Sequence, residues 1–345
     1  MSFKRLDPED ISINAESIVS PAWSTDAIEL TNAGGAVGFY LNTNQISSNT
    51  GNYYYQVYHK ASPADATAKV QFSVAYGHKE GLGSSPYNAG ESGKSPSSTI
   101  YGQYRNLVFG DEDQNFTFVN QTSDDIYVIS VDRARYKEKL FPGTFNITLQ
   151  SGSSGPKLEL TDNSQDITTV SYVDAGRVYD IISGSNGTAY SGSGYTPGGA
   201  SYGKFLPDVG VLVFNGAALN ASQANGGILI STVTGTTAGQ ESNNQKFYDV
   251  INNGNSFKLQ SEETVTSNYV FVRVRNSEFN YSTNPSNITS SGELRHDVMI
   301  NSPQAYITTV GLYNDNNDLL GVAKLSRPLL KDFTKEALVR IKLDY

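Results

Sequence analysis

Short runs in which apolar and polar residues alternate recur along the chain. Val70, Phe72, Val74 and Tyr76 alternate with Lys69, Gln71, Ser73 and Ala75, the two-residue period of a strand with one packed and one wet face. The same period marks Tyr127, Ile129 and Val131, then Phe145, Ile147 and Leu149, then Leu158 and Leu160, and finally Val270, Val272 and Val274. Each is expected to be half-buried. Val209 to Phe214 is apolar almost throughout and predicts a strand buried on both faces. Towards the C-terminus, Tyr306–Tyr313 and Leu319–Leu325 flank Asn314-Asp315-Asn316-Asn317, side chains that suit left-handed or Asx-turn backbone, so a hairpin is predicted over 306–325. A break follows at Arg327-Pro328. Leu338, Arg340, Lys342 and Asp344 then alternate with Val339, Ile341, Leu343 and Tyr345, which predicts a strand to the last residue.

A helical period is rarer. Ser95 can cap, Pro96 suits a first helical position, and Ile100, Tyr101, Tyr104, Leu107 and Val108 share a face before Gly110, predicting a helix over 96–109. A shorter one is predicted over 244–252, with Phe247, Val250 and Ile251 inward and Gly254 after it. Residues 81–96 and 183–203 are rich in Gly and Ser and read as loops. The second carries Tyr190, Tyr195 and Tyr202, aromatics that a bare linker lacks, so it is expected to order against a neighbour. The first 25 residues are polar, contain Pro8 and Pro21, and read as an extended arm. Four regions result: the arm (1–25), a β-rich domain with one helix (26–165), a loop-rich β region (166–260) and a C-terminal sheet region (261–345).

Composition sharpens the class. Among 345 residues there are 32 Gly, 22 Tyr and 15 Phe but one Trp and 17% charged residues. Aromatic and β-branched residues suit pleated sheets, and Gly, Asn and Ser supply turns, so the fold is expected to be β-dominated, with two β-sandwich-like domains, few helices and long ordered loops. Cysteine is absent, which removes disulfides, thiolate nucleophiles and Cys-ligated metals. The three histidines, His59, His78 and His296, are far apart in sequence and in no metal-ligand spacing. A net charge of −9 argues against a nucleic-acid coat. No run of eighteen apolar residues predicts a membrane insertion, and the first residues show no export signal.

Several clusters could carry chemistry. Asn314 to Asp318 crowds oxygens, but position twelve counted from Asn314 is Leu325 where a calcium loop needs Glu, so a tight turn is expected. Asp111, Glu112 and Asp113, with Asp124 and Asp125 nearby, could in principle form an acid/base pair, yet sequence-adjacent acids are usually solvated loop tips. Gly192-Ser193-Gly194 and Gly198-Gly199 match no phosphate-binding fingerprint. No catalytic residue, cofactor or metal is therefore expected. Arg133, Arg135, Lys137 and Lys139 alternate and would line one edge if a strand persists there. Residues 319–345 hold six Lys/Arg against three acids, so Lys331, Lys335 and Arg340, with Tyr345 at the end, are expected to dock on acidic neighbours. Tyr53, Tyr54, Tyr55 and Tyr58 could stack a sugar or pack in a core.

The stretch PQAYITTVGLYNDNNDLLGVAKLSRPLLKDFTKEALVRIKLDY, residues 303–345, resembles the closing segment of virion structural proteins of contractile-tailed, T4-like bacteriophages of cyanobacteria. Tyr101-Gly-Gln-Tyr-Arg-Asn-Leu107 and Tyr269 to Tyr281 resemble the same proteins. None of these segments is a catalytic motif. What the resemblance implies is a non-enzymatic tail or baseplate component, with a neck or capsid-associated role as the variant, made in the host cytoplasm, resident in the virion, and partnered by copies of itself and by other virion proteins. A host-surface glycan adhesin is the alternative expectation.

Overall fold

In this computed structural model, residues 3–31, 40–41, 54–59, 66–88, 90–91, 93–191, 199–235 and 240–344 are described. The chain forms two compact units, Ile18–Glu263 and Met1–Ser17 with Thr264–Tyr345. In chain order the principal elements begin with β1 (Ile11–Pro21), β2 (Glu29–Leu30), β3 (Tyr54–Tyr58), β4 (Val70–His78) and α1 (Pro96–Phe109). There follow β5 (Asp125–Val131), β6 (Asn146–Gln150), β7 (Lys157–Asp162), β8 (Gly176–Ser185), β9 (Gly203–Leu206) and β10 (Val211–Asn215). Then come α2 (Gly216–Asn220), α3 (Gln240–Gly254), β11 (Ser256–Lys258), β12 (Gln260–Val274), β13 (Gln304–Tyr313), β14 (Leu319–Asp332) and β15 (Ala337–Asp344). The fold is β-dominated.

The larger unit is built on one 13-stranded sheet in the order β2-β11-β6-β7-β8-β9-β10-β5-β4-β3, ending with Tyr40–Leu41. Neighbours along this path are antiparallel, as in Val74 opposite Ile129 and Leu212 opposite Ile129 on its other side. The sheet curls over itself. Phe72 on β4 meets Phe257 on β11 at 5.3 Å between ring centroids, and Phe145 beside β6 meets Phe205 on β9 at 5.4 Å, although these strands are far apart in the order. Two layers thus share one aromatic core, with Trp23 against both Phe72 and Phe257. α3 packs into the same core through Phe247, which touches Tyr127 and Phe214.

The opposite face of β4, β5 and β10 is also covered. Ala75, Ile126, Val128 and Val213 pack beneath Ile100, Tyr101 and Val108 of α1. β4 and β5 are accordingly buried on both faces, not half-wet as their alternation suggests. The small residues on that face are what let the helix approach: a Cβ on Gly77 would lie 2.8 Å from the Tyr101 backbone nitrogen. Gln71, buried among them, is satisfied by Ser24 and by the Lys69 carbonyl, which removes the cost of an unpaired amide. α1 starts at the Ser95 cap and stops at Gly110, whose φ of 64° is left-handed. Leu107, expected on the packed face, is exposed.

The boundary expected at 165/166 has no counterpart. β5, β6 and β7 from one side of it and β8, β9, β10 and β11 from the other are interleaved in a single sheet, because antiparallel partners were drawn from both segments. In the smaller unit, β1, β12 and β15 lie in one sheet, and β13 with β14 forms a hairpin. Val270, Val272 and Val274 sit opposite Ile341, Val339 and Ala337, and Leu312, Leu325 and Leu329 pack against them. β14 does not break at Pro328. The ladder passes from Ile307–Leu329 to Thr309–Lys324, so Pro328 lies in a bulge where a missing N–H costs no ladder bond.

Candidate functional site

The expected basic edge is absent. Arg133–Arg135 is a short 3-10 turn capped by Asp132, whose carboxylate accepts from the Ala134 N–H at 2.9 Å. The Arg133 guanidinium lies over the Tyr136 ring at 4.7 Å, and Arg135 stands 4.0 Å from Asp132. Lys137 pairs with Glu263, and Lys139 lies 3.7 Å from Glu262 and 3.8 Å from Glu138. Lys137 and Lys139 are balanced by carboxylates of their own unit, and the Asp132 cap ends the strand period that would have aligned the four cations.

Tyr202 is not exposed. It lies in the core, and its hydroxyl donates to the Gly226 carbonyl at 2.7 Å. Lys331 is fully buried: its ammonium donates to the Asn276 carbonyl at 3.0 Å, Asn280 Oδ1 at 2.6 Å and the Asp332 carbonyl at 2.7 Å. Three oxygens replace its water shell, which is why the charge tolerates burial. Lys335 and Arg340 remain exposed, Arg340 over the Tyr269 ring at 5.4 Å. Tyr53, Tyr195 and Tyr345 lie outside the described residues. Tyr54 is exposed while Tyr55 is buried, so the tyrosine run splits across two faces.

The acidic residues separate by environment. Asp111, Glu112 and Asp113 are exposed, with the Asp113 N–H donating to Asp111. Among the described residues no group of three or more His, Cys, Asp or Glu could hold a metal. Asn314 to Asp318 is the expected tight turn, with Asn314 Oδ1 accepting from the N–H groups of Asn316 and Asp318. Asp125 differs: burial pushes its carboxyl up to about 6, against the lowering effect of the Ser123 hydroxyl. Burial likewise lowers His78, which faces Asp125 across the β4–β5 ladder.

Two surfaces remain. One is a groove of about 500 Å³ on the larger unit. Ser256, Thr148 and Glu159 follow one another across β11, β6 and β7 in direct register, and Tyr190 donates its hydroxyl to Glu159 at 2.5 Å. That hydrogen bond raises the Tyr190 phenol above its ordinary range. Only Tyr190 of this row stood out in the sequence, because the others are drawn together by strand pairing alone. The groove offers hydroxyls, the Glu159 carboxylate, the Lys157 ammonium and one aromatic ring.

The other surface belongs to the smaller unit, which carries most of the exposed large apolar side chains among the described residues. Val298 is 77% exposed, Leu320 70%, Leu338 66% and Tyr306 65%. Scattered exposed hydrophobics are ordinary, and here they are concentrated in the smaller of the two units. Ile11 and Ile13 belong to it and were missed in the sequence, although their alternation with Ser12 and Asn14 is visible there. No family model matches the chain, and comparisons with curated proteins and with solved structures likewise give no match.

Proposed function

We propose that this chain is a non-enzymatic structural subunit of a contractile-tailed bacteriophage particle, a component of the tail or baseplate that works by binding copies of itself and neighbouring virion proteins. The observation that carries this reading is the exposed apolar surface of the smaller unit, led by Leu320, Leu338 and Val298. Such surface lowers free energy only when covered. The same unit contains residues 303–345, where the resemblance to virion proteins is densest. The larger unit is built on one sheet with a core cluster on each face, and no bond-making step is assigned to any residue.

The test is location. Peptides of this chain should be found in purified phage particles, and a reconstruction should place 264–344 against neighbouring protein. Particles complete without it would overturn the reading. A second reading, a glycan-binding adhesin, is favoured by the groove that joins Tyr190 to Glu159, Thr148 and Ser256. It requires the purified protein to bind host-surface glycans and Tyr190→Ala to abolish that binding. An unchanged glycan response in Tyr190→Ala would remove it.

A further inference from the structure

β1 ends one side of the sheet β1-β12-β15, and no strand lies beyond it among the described residues. Every residue from Ile11 to Ser17 is exposed. The strand is therefore held by its ladder to β12 with little side-chain burial, yet its composition is that of a strand with a covered face. Ile11, Ile13 and Ala15 point to one side, and Ser12, Asn14 and Glu16 to the other. Asn14 Nδ2 accordingly reaches Glu16 Oε1 at 3.4 Å. Ile11 is 43% exposed and Ile13 68%.

Edge strands that must stay single are normally blunted by lysine, proline or a bulge. Between Ile11 and Ser17 there is neither lysine nor proline, and Glu16 is the one charge. The opposite edge of the same sheet is protected. β15 exposes Arg340 and Lys342, so a second β15 laid against it would set cations opposite one another.

We infer that the free edge of β1 is an interface with a second copy of this chain, the two Ile11–Ser17 segments pairing antiparallel about a two-fold axis. The occupant is a second copy because the edge is self-complementary. An antiparallel self-pairing that sets odd positions opposite odd positions keeps the isoleucine row of both copies on one face. Centring it on Asn14 sets Ile13 opposite Ala15 and Ser12 opposite Glu16, and no like charges meet. Centring it on Glu16 would set two carboxylates face to face. The inference rests on reading the chain as an assembling subunit, and it names the partner of one surface.

Purified full-length chain is expected to run as a dimer by size-exclusion chromatography with light scattering. Ile13→Lys should be monomeric with an unchanged circular dichroism spectrum, since the side chain it replaces is exposed in the single chain, and should melt below the dimeric wild type at equal concentration because the pairing no longer stabilises the folded state. The chain has no cysteine, so an engineered one reports its own contact alone. Mild oxidation of Asn14→Cys, which faces its own copy across the two-fold axis, should give a disulfide-linked dimer, while Asp315→Cys on the hairpin turn should not. A monomeric wild type, a dimer undiminished by Ile13→Lys, or equal cross-linking at position 315 would each overturn the proposal. Failure of the assembly reading looks different: a dimer through β1 from a chain that no particle contains. A monomer found in particles would sink the self-pairing and leave assembly standing.

Discussion

Replacing Asp125 by asparagine should stabilise the larger unit at neutral pH, and should do so in a pH-dependent way. The carboxyl sits at the start of β5, where a Cβ on Gly216 would be 2.3 Å from Asp125 Oδ2. Burial raises it from 3.8 to about 6, while the Ser123 hydroxyl, donating to Oδ1 at 3.3 Å, opposes that shift. A carboxyl whose folded value is raised favours the protonated form when folded. Its destabilising effect is absent below the unfolded value, grows as pH rises from about 4 to about 6, and is complete above that. At about 1.36 kcal/mol per pH unit, a rise of that size amounts to about 3 kcal/mol at pH 7. The amide introduced by Asp125→Asn keeps the acceptor for Ser123 and carries no charge, so most of that penalty should vanish. Urea denaturation of wild type and Asp125→Asn between pH 4 and pH 7 reads this directly. The variant should gain about 2–3 kcal/mol at pH 7 and match wild type near pH 4. Parallel stability curves across that window would refute the claim that a half-buried, charged Asp125 opposes folding.

Two further outcomes follow from packing. Gly77→Ala pushes a methyl group to within 2.8 Å of the Tyr101 nitrogen, and because backbone cannot yield as a side-chain tip does, it should cost about 1–3 kcal/mol in a denaturant melt. Lys331→Met leaves the Asn276 carbonyl and Asn280 Oδ1 without their ammonium donor; a loss of about 2–4 kcal/mol is expected, with faster proteolysis between 276 and 281 as the local readout.

Local order could be read from the chain with little loss. The helix from Pro96 to Phe109, its Ser95 cap and Gly110 stop, the turn at Asn314 to Asp318 and the final strand all depend on residues close in sequence, whose backbone preferences are intrinsic. The doubly buried strand at Val211–Asn215 was legible for the same reason, since its apolar run needs no partner to be recognised. Pairing in space decided the rest. Whether the polar side of β4 met water or α1 depended on a helix about twenty residues further on. Whether Lys331 met solvent depended on the 276–280 loop, and whether Arg133 to Lys139 formed a basic edge depended on carboxylates as distant as Glu262 and Glu263. Alternation states that a side chain points to one of two faces. Only the assembled sheet determines what lies against each face, because that contact is made by residues the local pattern does not contain.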